Sequence, residues 1–382
     1  MLDRSFVVVL ALVAACKPPD VTFTSDNIDL LFLIDDSPSM ADKQNNLAAS
    51  FPQFIDILST LPGGLPNLHI AVVTSDLGSQ GADDPAPGPA IGSEGRCSGF
   101  GKAGLMQLFG APVVTGERFL SDIKDPAKLD GSRIRNYTGA LSDAFSKMVK
   151  AGDDGCGFEQ HLEAVKQALE PANTPNAGFL RPDAYLAVII IADEDDCSMS
   201  HSSLIADDLA SIATLGPLES FRCTRFGVLC DDGGATTDAM NQAGTKTQCH
   251  SNDHSAYLTK VGDYATFFKS LKADPQKVIV ADLGGPPDPF ATELRAPVES
   301  AMEIPALAHS CTYIGGDGKP EVADPAVRIK SFLNGFPNRS RFASICELSG
   351  GLQQIGDLLQ TTIGGDIEAK LADVEPNTPG LQ

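Results

Sequence analysis

The chain has 382 residues, 42% of them hydrophobic, and a formal charge of −22. That length and apolar content exclude a largely disordered chain and allow one large domain with insertions or two ordinary ones. The charge excludes nucleic acid and an anionic membrane surface as the main partner, because both repel an acidic protein, and leaves cations or basic surfaces.

Residues 1–16, MLDRSFVVVLALVAAC, hold one Arg, an apolar core from Phe6 to Val13 and two alanines before Cys16. The core is too short to span a bilayer. Val13-Ala14-Ala15-Cys16 resembles a bacterial lipobox. The resemblance implies a lipoprotein signal peptide over 1–15, cleavage before Cys16 and acylation of that cysteine; the alternative is an ordinary cleaved signal peptide. Lys17 after the cysteine favours the outer membrane, facing either the periplasm or the outside. The lipid anchor would then be the only contact with the membrane. Residues 16–25, with Pro18 and Pro19, form a short tether to a domain over 26–365.

Cysteine usage agrees with an oxidising compartment. Assigning Cys16 to lipid leaves Cys97, Cys156, Cys197, Cys223, Cys230, Cys249, Cys311 and Cys346, enough for four disulfides of unspecified pairing. None of them forms a Cys-x-x-Cys pair, which argues against a zinc ribbon.

The domain opens on DLLFLIDDSPSM, residues 29–40. Leu30 to Ile34 form a continuous apolar run, the pattern of a strand covered on both faces of a parallel sheet. The run stops at Asp35. Asp36 and Pro38 mark a turn and Ser39 caps a following helix, so Asp35, Ser37 and Ser39 fall in a strand-to-helix loop, where ligands of open α/β sheets bind. A carboxylate and two hydroxyls are half of an oxygen-ligand site for Mg²⁺ or Mn²⁺; a plain helix cap is the competing reading.

Helical spacing runs through Leu47, Phe51, Phe54, Ile55 and Leu58, and LHIAVVT (68–74) is the next buried strand. Residues 77–135 are rich in Gly and Pro and predict an ordered insertion, with Cys97 as its staple. Helices follow over Tyr137–Lys150 and Phe158–Leu169. AYLAVIIIA (184–192) is the strongest strand and again ends in acid, at Asp193-Glu194-Asp195-Asp196. A helix is expected over 202–215, a second insertion over 216–256, a helix over 264–272, a strand over 278–283 and a third insertion over 285–325. Closing helices fall near 326–333 and 352–362, with a short extended segment at 342–346 and a polar tail over 366–382. His250 and His254 lie four apart in a segment that reads as a loop, a weak zinc pattern.

The order of elements makes the fold class α/β: a doubly wound, mostly parallel central sheet flanked by helices, with disulfide-stapled loop insertions. Asp35-x-Ser37-x-Ser39 after a buried strand resembles the metal-ion-dependent adhesion site of von Willebrand factor A domains, and Asp193 falls on that family's third-loop Asp. The resemblance implies a Mg²⁺ (or Mn²⁺ or Ca²⁺) site formed by Asp35, Ser37, Ser39 and Asp193. A partner protein, or another extracellular ligand, completes it with an acidic or oxygen group, in adhesion or assembly at the cell surface and without catalysis. The family's Thr ligand is missing from GCGFEQHLEAVKQAL (155–169). Glu159 either replaces it or that ligand is absent. Two alternatives stand beside this reading. One is a periplasmic metal-dependent phosphoesterase, for which the Asp-x-Asp pattern is incomplete because Ser37 follows Asp35. The other is a structural envelope protein with a vestigial site.

Overall fold

The computed structural model describes residues 27–374, except 93–95, 115, 129 and 298–301. The expected signal peptide, Cys16 and the tether lie outside the described residues.

β1 (Asn27–Ile34) carries the apolar run. Successive side chains leave opposite faces of a strand, and here both faces are covered: Leu30, Phe32 and Ile34 enter one core, Leu31 and Leu33 the other. α1 (Ala41–Leu58) packs Leu47, Phe51, Phe54 and Leu58 into the first core. Pro52 lies inside this helix and cannot donate to Ala48; the Ser146 hydroxyl donates to that freed carbonyl at 3.4 Å.

β2 (Asn67–Thr74) pairs in parallel with β1 along its whole length. β3 (Leu120–Lys124) and β4 (Arg133–Arg135) then extend the sheet in antiparallel fashion. α2 (Leu141–Met148) and α3 (His161–Leu169) precede β5 (Tyr185–Ile191), which flanks β1 on its other side. Next come α4 (Leu209–Leu215), α5 (Phe221–Gly227), β6 (Val228–Asp232), α6 (Thr237–Met240) and β7 (Gly244–Ser251). α7 (Val261–Ser270) leads to β8 (Val278–Gly284), followed by β9 (Phe290–Arg295), β10 (Ile304–Leu307), β11 (Cys311–Ile314) and β12 (Pro320–Ala323). α8 (Val327–Asn334), β13 (Ser340–Ser344) and α9 (Leu348–Val374) close the chain.

The central sheet has seven strands in the order β13-β8-β5-β1-β2-β3-β4, the first five mutually parallel. α1, α2 and α9 fill one face, and α3, α7 and α8 the other. The protein is thus a mixed α/β fold with a mostly parallel sheet between two helical layers. Among the described residues no helix is long and apolar enough to cross a membrane.

Three expectations need correction. The insertion over 77–135 contains β3 and β4, hidden in sequence because Asp122 interrupts the apolar pattern. Its buried carboxylate is matched by Arg133, Arg135 and the Tyr137 hydroxyl. The segments 216–256 and 285–325 supply a four-stranded sheet, β10-β9-β7-β6, and the hairpin β11-β12 rather than irregular loop. The boundary at 365 is too early: α9 runs to Val374, Ile367 is buried, and Asp366 accepts from the Tyr185 hydroxyl at 3.0 Å and pairs with Arg339 at 3.1 Å. All eight expected cysteines pair, as Cys97–Cys156, Cys197–Cys223, Cys230–Cys249 and Cys311–Cys346.

Candidate cation site

Ile34 of β1 lies opposite Ile191 of β5 and Thr74 of β2, so the loops leaving these three strands start side by side at one sheet edge. The Asp35 backbone N–H donates to the Ile191 carbonyl at 3.0 Å, tying the first two loops together.

Each of the two leading carboxylates has one oxygen engaged and one without a hydrogen bond. Asp35 is fully buried; its Oδ1 accepts from the Ser37 backbone N–H at 2.8 Å and from the Ser75 hydroxyl at 3.4 Å. Its Oδ2 has no hydrogen bond, and the nearest cationic group, His161 Nε2, is 3.8 Å away. Asp193 Oδ2 pairs with Lys43 Nζ at 3.0 Å, while its Oδ1 is buried without a hydrogen bond. The Ser37 and Ser39 hydroxyls are 3.1 Å apart, Ser37 buried and Ser39 exposed.

The electrostatics follow from crowding carboxylates in a dry site. Burial, reinforced by the Asp35 charge, pushes Asp193 up to about 6, against the pull of Lys43 and the Ser39 hydroxyl. Burial also raises Asp36 to about 6, opposed by the Lys102 ammonium that pairs with it. Glu159 and Glu194 are held well above the ordinary carboxylate range, first by burial; for Glu159 the charges of Glu194, Asp35 and Asp193 add to it, for Glu194 those of Asp324, Asp193 and Asp35. For His161 burial acts downward, but Asp35, Asp196 and Asp195 outweigh it and leave the imidazole raised.

The sequence placed Asp35, Ser37, Ser39 and Asp193 in one site, and the fold brings these four together at the sheet edge. Glu159 differs. The helix begins only at His161, so Glu159 lies before α3, within electrostatic reach of Asp35 and Asp193, and lines a neighbouring cavity. Asp195 and Asp196 serve the fold: Asp195 accepts two N–H groups in the first turn of α8, from Arg328 and Ile329, at 2.8 and 3.1 Å. Asp196 accepts from the Leu162 N–H at 2.9 Å and pairs with Arg328 at 3.0 Å. His250 sits on β7, 3.5 Å from Asp231. Among the described residues no group of three or more His, Cys, Asp or Glu side chains is gathered to hold a metal ion, so any such site must draw on hydroxyls.

Sequence reasoning missed Lys43, Ser75 and His161. Lys43 stands four residues after Ser39, on the same helical face, and its Nζ donates to the Ser39 carbonyl at 3.1 Å. The same ammonium reaches Glu321 of β12 at 3.0 Å.

No family model and no curated protein matches this chain. Among solved structures, proximal thread matrix protein 1 from the mussel byssus is similar at 12% identity and a TM-score of 0.34, over 88% of this chain and 49% of that one. The chain therefore spans about half the length of that structure.

Proposed function

We propose that the chain is a von Willebrand factor A-type binding protein, lipid-anchored through Cys16 in a bacterial envelope, with its central sheet in the doubly wound arrangement of that family. It holds Mg²⁺, or Mn²⁺ or Ca²⁺, at Asp35, Ser37, Ser39 and Asp193. The ion presents an open coordination position to an acidic or other oxygen group of a partner, in adhesion or assembly. No nucleophile is needed.

One observation carries this reading. Asp35 Oδ2 and Asp193 Oδ1 are both buried, both without hydrogen bonds, and both at the ends of adjoining strands next to the Ser37 and Ser39 hydroxyls. Unpaired buried carboxylate oxygens are costly, and hard divalent cations favour this oxygen set. Lys43 neutralises Asp193 from the Oδ2 side only, which leaves Oδ1 for the ion.

The test is thermal melting with and without Mg²⁺ or Mn²⁺. The wild type should melt higher with the ion, and Asp35→Ala should not respond. An equal response in both proteins removes the site. Hydrolysis of p-nitrophenyl phosphate by the wild type, lost in Asp35→Ala, would point to a phosphoesterase instead.

A further inference from the structure

A cavity of ≈ 140 Å³ opens beside the cation site, lined by the loop after β5, by α5 and by β10 with the end of β9. One wall is apolar, made by Phe221 of α5 with Ile304 and Leu307 of β10; Glu159 and Glu194 also line the space. Several other charges in the lining are already matched. Asp195 caps α8, Asp196 pairs with Arg328, and Asp324 contacts His309 Nδ1 at 2.6 Å. Arg295 is held by Glu293 at 2.8 Å and donates to the Leu307 carbonyl at 2.8 Å.

Glu159 and Glu194 differ. Glu159 is 2% exposed, and its own backbone N–H is a hydrogen-bonding neighbour of its carboxyl. Glu194 has the Ser220 hydroxyl and, among the described residues, no ion pair. A buried carboxylate without a counter-charge, facing a cavity, is a group with an incomplete environment.

We propose that this cavity binds an ammonium or guanidinium group on a short aliphatic stem, the cation at Glu159 and Glu194 and the stem along Phe221, Ile304 and Leu307. The apolar wall selects an organic cation over a bare metal ion, which needs several oxygen ligands around it. Glu159 and Glu194 both line this space, and a cation between them supplies the counter-charge that neither carboxylate has among the described residues. The same chemistry is offered by a free alkylamine and by a Lys or Arg side chain of a partner protein. The cavity adjoins the Mg²⁺ site but has its own lining: none of Asp35, Ser37, Ser39 and Asp193 belongs to it.

The test is isothermal titration of the full chain with butylamine, agmatine, butanol and the peptide acetyl-Gly-Lys-Gly-amide. Butylamine or agmatine should bind, and Glu159→Gln and Glu194→Gln should each weaken binding by about tenfold or more, the scale of one lost charge-assisted contact. Ala306→Leu, which narrows the apolar wall without altering charge, should weaken it as well. Binding of the peptide at least as tight as that of butylamine assigns the site to a partner's side chain; binding of butylamine with the peptide excluded assigns it to a free amine. Butanol binding as well as butylamine, or unchanged amine binding in both Gln variants with native circular dichroism, overturns the proposal. So does a Mg²⁺ stabilisation lost in Glu159→Gln but kept in Asp35→Ala, which would place a metal in the cavity. Amine titrations and Mg²⁺ melts are read separately, so failure of either site leaves the other standing.

Discussion

Lys43 has no solvent exposure, and its ammonium has three N–H donors to place. Three acceptors receive them: Asp193 at 3.0 Å, Glu321 at 3.0 Å and the Ser39 carbonyl at 3.1 Å. Burial acts to lower its pKa, yet the two carboxylates outweigh that and leave it raised. Lys43→Met keeps most of the stem and removes the charge, leaving two carboxylates facing an empty position. A loss of about 3–5 kcal/mol is expected, as for other buried pairs broken on one side. Mg²⁺ should recover part of it by supplying positive charge to Asp193. Thermal melts of Lys43→Met with and without Mg²⁺ check both points, and a variant as stable as the wild type would contradict the first. Asp35, Ser37, Ser39 and Asp193 were legible because a buried strand that ends in acid is visible in the letters alone. Lys43 was not, since its meaning depends on Glu321, which lies 278 residues along the chain. Glu159 was offered to the metal only by the resemblance, as a stand-in for the missing Thr; in the fold it lies before α3 and lines the neighbouring cavity.

At the scale of elements, the disulfides divide by what they hold. Cys97–Cys156 closes 59 residues and fastens the segment carrying Lys102, the partner of Asp36 beside the site. Cys230–Cys249 closes 19 residues and bridges the β6–β7 hairpin. Loop-closure entropy gives about 4 kcal/mol for the first and about 3 kcal/mol for the second. Replacing both cysteines of the first pair by Ser should therefore cost more in urea denaturation and should also weaken the Mg²⁺ response, through release of Lys102. The same change in the second pair should cost stability and leave that response intact. The number of usable cysteines was readable in the sequence, but their pairing was not. The strands of the insertions were equally hidden: β7 reads GTKTQCHS, largely polar and exposed, and pairs with β6 and β9 through its backbone rather than an apolar face.

For the whole molecule, acid content sets the pH response. Asp36, Asp193 and Asp195 each sit at about 6 in the fold against an ordinary value of 3.8, in every case first because of burial. Between about pH 4 and 6 the folded chain thus holds protons that the unfolded chain has released, and stability must fall as pH rises through that window. The formal charge of −22 acts in the same direction as the remaining carboxylates ionise. A divalent cation at Asp193 should make the decline shallower. Melting temperatures between pH 4 and 7, with and without Mg²⁺, test this; a flat profile would show that burial is compensated elsewhere. The parallel core of the sheet was legible from its long apolar runs, since strands covered on both faces have no polar side to show. The antiparallel edge was not, because β3 and β4 are short and carry charge.

The four disulfide loops follow one another along the chain without nesting. Drawn out from its two ends, the protein cannot release the segments they enclose. The 59 residues of the first loop alone withhold about 200 Å of contour at roughly 3.4 Å per residue. A chain fastened to a surface at one end and to a partner through its sheet edge would have its reach under tension set by covalent bonds, well short of what its residue count allows.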